Sequence, residues 1–396
     1  MTAVAERLAE IRRAGLHREL RIVDGPQGPR VSLGGTDVLL LCSNNYLGLA
    51  DDPRIRRGAA EAAERFGASA GASRLISGTM ALHRKLERRL AAFHRAESVL
   101  AFGSGFLANV GSVSALAGRG DVVFSDELNH ASIIDGCRLS RAETFVYRHR
   151  DLDHLAWGLA RARDRAALIV TDAVFSMDGD VAPLVELAEL ARANRCLLMV
   201  DEAHAIGALG PGGRGAVAEA GLTEGVDVLV GTLGKSLGSY GAYVCASAEI
   251  CELLVNAART FIFSTALPPP AVGAALAALD VLDSEPGLVD DLRRNAEVIR
   301  AELAAAGLAT GPSRTQIIPI VVGDAERTVE LCERLLERGI YAQAIRPPTV
   351  PPGTSRLRLA VMASHRPGEL RAAAGQIARS AAALGPAATV PLDRAA

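Results

Sequence analysis

Lysine is scarce in this chain: of its 43 basic residues only Lys85 and Lys235 are lysines, and the other 41 are arginines. Chemistry that needs a lysine amine therefore has two candidates. Lys85 sits in LHRKLERRLAAFH, where apolar residues recur at helical spacing with charges between them, the pattern of a solvated helix face. An excess of either charge is also missing. Lys plus Arg (43) nearly balances Asp plus Glu (45), a net of −2, which excludes a chain built to bind nucleic acid or another polyanion. The six cysteines, Cys42, Cys137, Cys196, Cys245, Cys251 and Cys332, are scattered without a CxxC pair. That spacing argues against a disulfide framework or a zinc site and for reduced thiols. No run approaches the roughly 18 apolar residues of a membrane span. The opening MTAVAERLAEIRRAG carries charge where a signal peptide has its apolar core. No internal repeat with a period of about 20–50 residues occurs. The expected location is the cytoplasm.

What is present is a folded, globular composition, 49% hydrophobic and 22% charged, which excludes a disordered or low-complexity protein. A length of 396 residues exceeds the roughly 100–200 of one ordinary domain, so two or three units are expected. From about residue 95 to residue 245, seven short apolar runs alternate with helical stretches: ESVLAF, DVVFSD, ETFVYRH, AALIVTDAVF, CLLMVDEAH, VDVLVGTLG and GAYVCAS. Their nearly continuous hydrophobicity predicts strands buried on both faces of a mostly parallel sheet in an α/β domain. An alanine-rich helical stretch from about Ala271 to Leu308 then leads to QIIPIVVGD, a helix through ERTVELCERLLERG, and further strands in IYAQAIRPPTVPPGTSRLRLAVMASH. The expected division is an N-terminal arm at 1–44, a large α/β domain at 45–285 and a smaller α+β domain at 286–396. LGPAATVPLDRAA at its end reads as a loose tail.

In open parallel sheets ligands collect beyond the carboxyl ends of the strands. Three such ends carry suggestive chemistry. Asp201 and His204 follow the apolar run LLMV, and a carboxylate there needs a cationic partner or several donors. Lys235 follows another such run, among glycines, in VLVGTLGKSLG. ESVLAF ends in Gly103-Ser104-Gly105 before a helix, where small residues and free N–H groups make an anion site. A phosphate cradle, an amine and an aspartate together match what pyridoxal phosphate requires. Lysine forms a Schiff base with its aldehyde, aspartate keeps the pyridine nitrogen protonated, and helix-terminal amides hold the phosphate. A nucleotide P-loop is excluded, because GTLGKS would need glycine where Leu229 stands. Asp201, Glu202 and His204 lack the further ligands of a metal site, so no metal is expected.

The motifs SNNYLGL, ASRLISGT, FGSGFLAN, SDELNHASIIDGCRLS, TDAVFSMDGD, VDEAHAIGALG, GTLGKSLGSYGAY, FIFSTALPPP and IRPPTVPPGTSRLRLA occur in order from residue 43 to residue 360. Together they closely resemble the α-oxoamine synthases, a branch of the fold-type-I pyridoxal phosphate enzymes. The resemblance implies a fold-type-I transferase with Lys235 as the Schiff-base lysine and proton-transfer base. It puts Asp201 on the pyridinium nitrogen, His204 on the ring oxygen and His130 stacked on the ring face. It assigns Gly105, Phe106 and Thr232 to the phosphate and Ser176 to the neighbourhood of the ring oxygen. Ser264 and Thr265 would reach the phosphate of a neighbouring subunit, which implies a homodimer. Arg358 would clamp the amino-acid carboxylate, and Arg18, Asn45 and Thr349 would contact substrate, with Arg21 a close rival of Arg18. The implied reaction is a decarboxylative condensation of an amino acid with an acyl thioester carried by CoA or acyl carrier protein. ARTFIFSTALPPP and IRPPTVPPGTSRLR favour the branch that joins L-alanine to a pimeloyl thioester. SDELNHASIIDG, FSMDG and GTLGK are shared with a glycine-using branch.

Overall fold

The computed structural model describes residues 2–385, so residues 386–396 of the C-terminal stretch read above as a tail lie outside the described residues. The chain divides into two compact units, one of residues 49–176 and 181–289, the other of residues 1–48, 177–180 and 290–396. The seven apolar runs of the first unit all become strands: β1 (Ser98–Phe102), β2 (Val122–Asp126), β3 (Glu143–Tyr147), β4 (Ala166–Asp172), β5 (Leu197–Asp201), β6 (Val228–Thr232) and β7 (Ala242–Ala246). They form one sheet in the order β1-β7-β6-β5-β4-β2-β3. All neighbours pair in parallel except β7, which runs antiparallel to both β1 and β6. Every residue of β2, β6 and β7 is buried, whereas the edge strand β3 is largely exposed. Continuous hydrophobicity in the first three reflects layers on both faces.

Register then decides which side chains share the carboxyl edge. Asp172 at the end of β4 is paired with Asp201 at the end of β5, Thr232 at the end of β6 with Ala242, and Ala242 with Phe102 at the end of β1. Helix α1 (Gly105–Leu116) leaves β1 at this edge, and α2 (Ala131–Ser140) follows β2. The two helices pack closely because Gly136 of α2 has no side chain: a Cβ there would lie 3.0 Å from Val113 Cβ and 3.2 Å from the Asn109 carbonyl oxygen. The alanine-rich stretch expected as one helical segment is two helices, Pro269–Ser284 and Gly287–Ala305. Pro286 explains the break, since it disfavours helical backbone at Glu285, which has φ −129° and ψ 63°.

The second unit contains a three-stranded antiparallel sheet of β8 (Ile317–Gly323), β9 (Gln343–Ile345) and β10 (Ser355–Ala360), with β10 in the middle. Its other sheet pairs the N-terminal strand Thr36–Leu40 in parallel with Ile340–Tyr341, so residues distant in sequence share one layer. Among the described residues no helix is long and apolar enough to cross a membrane, and no group of three or more His, Cys, Asp or Glu is arranged to hold a metal ion.

Gly231, inside β6, lies where a Cβ would meet Tyr243 Cζ at 2.2 Å. The Tyr243 hydroxyl is fixed 2.7 Å from His94 Nε2 in the buried core, so the ring cannot simply swing away. Gly231→Ala should therefore cost about 1–3 kcal/mol, as overpacking does, read as a lowered thermal or urea midpoint. An unchanged midpoint would mean that β6 tolerates displacement beneath Lys235.

Candidate active site

Asp201 is 4% exposed. Its Oδ1 accepts from the Ala203 N–H at 2.8 Å and its Oδ2 from Asn109 Nδ2 at 2.6 Å. A buried carboxylate is tolerated when donors meet it in this way. Three residues on, buried His204 places Nε2 2.8 Å from Lys235 Nζ. Lys235 is half-buried in the turn after β6, and this turn is shaped by Thr232, whose hydroxyl donates to the Gly241 carbonyl at 3.1 Å and accepts from the Gly234 N–H at 3.2 Å. The other lysine, Lys85, is exposed on the helix Ala81–His94.

His130 caps the start of α2. Its backbone N–H donates to Asp172 Oδ2 at 2.7 Å, and its ring Nδ1 lies 2.7 Å from Ser132 Oγ and accepts from the Ser132 N–H at 3.3 Å. The residue is exposed, yet its imidazole is harder to protonate than an ordinary one. Desolvation by the surrounding atoms is the main cause, with the Asp201 charge opposing it and the Lys235 charge adding to it. Asp172 is 3% exposed, and its carboxyl is held well above the usual range by burial first and by the adjacent Asp201 charge second. The preceding Asn129 anchors this corner. Its Nδ2 donates to Ser125 Oγ and to the Val170 carbonyl, each at 2.9 Å, while its Oδ1 accepts from the Asp172 N–H at 2.9 Å.

At the end of β1, Ser104 caps α1 by accepting from the Leu107 N–H at 3.2 Å. The Gly105 and Phe106 N–H groups open the helix and have no acceptor within it. The space beside Gly105 is open, since a Cβ there would meet nothing within 4 Å, and Phe106 is 45% exposed. An anion could approach these N–H groups. Ser176 is half-buried after β4. Ser264 is half-buried and Thr265 exposed, the latter bridging to Ser73, and the preceding Phe263 is 69% exposed.

Lys235, His204, Asp201 and His130, predicted from sequence, thus lie in one corner of the first unit, linked by contacts or by mutual charge. Three neighbours were missed: Asn109, Ser132 and Asp172. Asp172 ends a buried strand as Asp201 does, so the same rule would have found it. Asn109 carried a weaker signal, a lone amide inside the apolar helical run FLANVGSV.

In the second unit, buried Arg358 of β10 donates to Asn44 Oδ1 at 3.2 Å and to the Tyr46 hydroxyl at 3.3 Å. Asn45 is buried and donates to the Gln27 carbonyl at 3.2 Å. Arg346 clasps the N-terminal segment through the Gly15 and His17 carbonyls at 2.5 and 3.1 Å. Exposed Arg18 reaches the Pro347 carbonyl at 3.4 Å, close in sequence to exposed Thr349. Arg21 is instead ion-paired with Glu333.

A basic nitrogen beside an imidazole, a buried carboxylate, an exposed imidazole and an open helix N-terminus fit a flat, phosphorylated pyridine aldehyde. The family model for class I and II aminotransferases matches residues 36–377. The chain is 54% identical over 388 residues to 8-amino-7-oxononanoate synthase of Citrifermentans bemidjiense, covering 97% of this chain and all of that one. It is equally 54% identical to the enzyme of that name from Geobacter sulfurreducens, with 97% and 99% covered. Among solved structures it resembles serine palmitoyltransferase from S. paucimobilis with PLP and myriocin bound, at TM-score 0.91, 32% identity and coverage of 97% and 98%. It also resembles 8-amino-7-oxononanoate synthase from Francisella tularensis, at TM-score 0.75, 29% identity and coverage of 86% and 97%.

The crowding at Asp172 yields a signed prediction. A carboxyl whose pKa is raised by folding contributes most below its unfolded pKa, and that contribution is lost as pH rises through the folded value. Asp172→Asn keeps an oxygen for the His130 N–H but removes the ionisation. In cofactor-free protein its melting temperature should exceed the parent's increasingly from mildly acidic to alkaline pH, and the gap should close near pH 4. A gap of constant size across that range would show that Asp172 is not crowded.

Proposed function

The chain belongs to the class I and II aminotransferase family, and on that premise we propose that it is a pyridoxal 5'-phosphate-dependent acyltransferase. It condenses L-alanine with pimeloyl-CoA or pimeloyl-acyl carrier protein, with loss of CO2, to give 8-amino-7-oxononanoate for biotin synthesis. The observation that carries this reading is Lys235 Nζ, one of two lysine amines in the chain, set 2.8 Å from His204 in the corner that holds buried Asp201.

Pyridoxal phosphate, when bound, supplies an electron sink for the carbanion at the α-carbon of the amino acid. The chain's own residues do the rest. Lys235 would hold the cofactor through Nζ, and its amine is the group placed to take the α-proton of alanine and return one. His204, beside that amine, would hold the ring oxygen. Asp201, already met by two donors, would hold a proton on the ring nitrogen and so keep the sink effective. His130 would pack its exposed imidazole on the ring face, and the Gly105 and Phe106 N–H groups would receive the phosphate, with the Thr232 hydroxyl joining them once turned from the Gly241 carbonyl. Arg358, poised on Asn44 and Tyr46, offers a planar fork to the substrate carboxylate. Arg18 suits a substrate contact better than Arg21, which Glu333 engages, and Asn45 and Thr349 join it. Six free thiols suit a reducing cytoplasm.

Purified protein should absorb in the visible when loaded and release CoA from pimeloyl-CoA in the presence of L-alanine. Lys235→Ala should remove the covalent absorbance and at least the roughly 10²–10⁴-fold that a positioned proton-transfer group contributes. Faster CoA release from glycine and acetyl-CoA would move the assignment to the glycine-using branch, and normal turnover in Lys235→Ala would end it.

The functional unit we assign is a homodimer in which Ser264 and Thr265 complete the partner's phosphate site. Exposed Phe263 and Thr265, on either side of half-buried Ser264, support it. A two-fold interface would make the exchange reciprocal. Mixing Lys235→Ala with a Ser264→Ala, Thr265→Ala double variant should then restore activity towards about a quarter of wild type, since statistical mixing makes half the dimers mixed and half their sites intact. No recovery despite verified subunit exchange would mean that each site is built within one chain.

A further inference from the structure

Two buried side chains connect Asp201 to His130, and none of the roles above uses them. Asn109, 1% exposed, comes from α1, and Ser132, fully buried, from α2. Asn109 Nδ2 lies 2.6 Å from Asp201 Oδ2 and 2.9 Å from Ser132 Oγ, and Ser132 Oγ lies 2.7 Å from His130 Nδ1. Counting hydrogens gives this chain a direction. An amide nitrogen has two hydrogens and accepts nothing, so one goes to the carboxylate and one to the hydroxyl. The amide cannot be turned round while Asp201 is ionised, because its carbonyl oxygen would then face Asp201 Oδ2 at 2.6 Å, acceptor against acceptor. With its oxygen taking a hydrogen from Asn109, Ser132 has one hydrogen to give, and His130 Nδ1 receives it. The Ser132 backbone N–H reaches the same Nδ1 at 3.3 Å. A ring nitrogen that accepts twice carries no hydrogen, so the imidazole is neutral with its proton on Nε2.

The bland alternative is that Asn109 merely satisfies neighbouring polar groups. Its own Oδ1 argues otherwise: it is buried without a hydrogen-bond partner, a destabilising arrangement for an amide kept only for stability. The close approach of α1 and α2 across Gly136, which sets Asn109 over the first turn of α2, serves the same contact.

We propose that Asn109 and Ser132 are positioning residues that tie the ionised state of Asp201 to the tautomer of His130, holding its ring neutral with the proton on Nε2. This deepens the reading of Asp201 and His130 as cofactor residues and rests on it for the meaning of the two ends, while the relay is set by the chain's own atoms. A carboxylate ionised beneath the ring nitrogen thereby comes with an uncharged imidazole on the ring face, so no second positive charge opposes the pyridinium.

The test is nitrogen NMR of the full-length chain labelled with ¹⁵N-histidine, with pyridoxal 5'-phosphate bound and after its removal, the His130 signals being those lost in His130→Gln. At neutral pH the parent should show an unprotonated Nδ1 and a protonated Nε2. In Asn109→Asp, close to isosteric, the new carboxylate beside Asp201 draws the Ser132 hydrogen to itself, and His130 Nδ1 should become protonated. In Ser132→Ala a measurable population with the proton on Nδ1 should appear. Circular dichroism reports folding, and absorbance of bound cofactor reports the functional reading separately. A parent carrying its proton on Nδ1 would overturn the relay, whether or not cofactor binds. So would a folded Asn109→Asp with the parent's tautomer, and if that variant fails to fold, an unchanged tautomer in Ser132→Ala would do the same. Failure to bind pyridoxal phosphate with the tautomers as expected would instead count against the cofactor reading alone.

Discussion

Two carboxylates side by side at the dry end of a sheet are the constraint around which this corner is built. The register of β4 against β5 pairs Asp172 with Asp201, and burial takes away the water that would otherwise screen them. The surroundings answer with donors and basic groups: the Ala203 N–H and the Asn109 amide on Asp201, and the His130 N–H on Asp172. Lys235 adds a further stabilising charge to Asp172. The burden is shared unequally. Asp172 is the carboxyl that resists ionisation, while two donors meet Asp201, so Asp201 is the one free to face a cation. A protonated pyridine ring would complete that balance by bringing a positive charge to Asp201.

How much of this could be read from the residues depends on whether a contact is local. Six of the seven strands of the first unit were visible because a strand covered on both faces must be apolar throughout, as in LIVTD and LLMVD, whereas the edge strand β3 is largely exposed. Asp201, His204 and Lys235 stood out as polar residues at the ends of such runs. Asn109 and Ser132 did not, because their importance comes from two helices that meet across Gly136, and no periodicity encodes that meeting. The second unit was harder for the same reason. The pairing of Leu39 and Leu40 with Ile340 and Tyr341 joins segments from opposite ends of the chain, and both are too short to announce a partner. Pro286 was legible in principle as a break between two helices, but the alanine-rich composition on either side hid it.

Arg358 shows how composition and burial divide the labour among cations. A guanidinium keeps its charge under almost any conditions and can be held in a fixed plane by several acceptors. Arg358 is held in that way, on the central strand of the three-stranded sheet, with Asn44 and Tyr46 fixing its Nη2. The Tyr46 hydroxyl is itself hard to ionise, chiefly through burial, so it stays a neutral partner for the guanidinium. A lysine in the same place would lose the fork and keep only a point charge.

The converse argument applies at Lys235. Proton transfer and covalent attachment both need a nitrogen that can shed its charge, which an amine can do and a guanidinium cannot. His204 Nε2 lies 2.8 Å from the Lys235 amine. A reactive aldehyde meets any accessible amine, so a chain that places arginine at 41 of its 43 basic positions leaves it few wrong partners. Lys85 is exposed on the helix Ala81–His94. The scarcity of lysine and the corner around Lys235 therefore act together: the first limits which amines exist, and the second sets one of them beside His204, three residues on from buried Asp201.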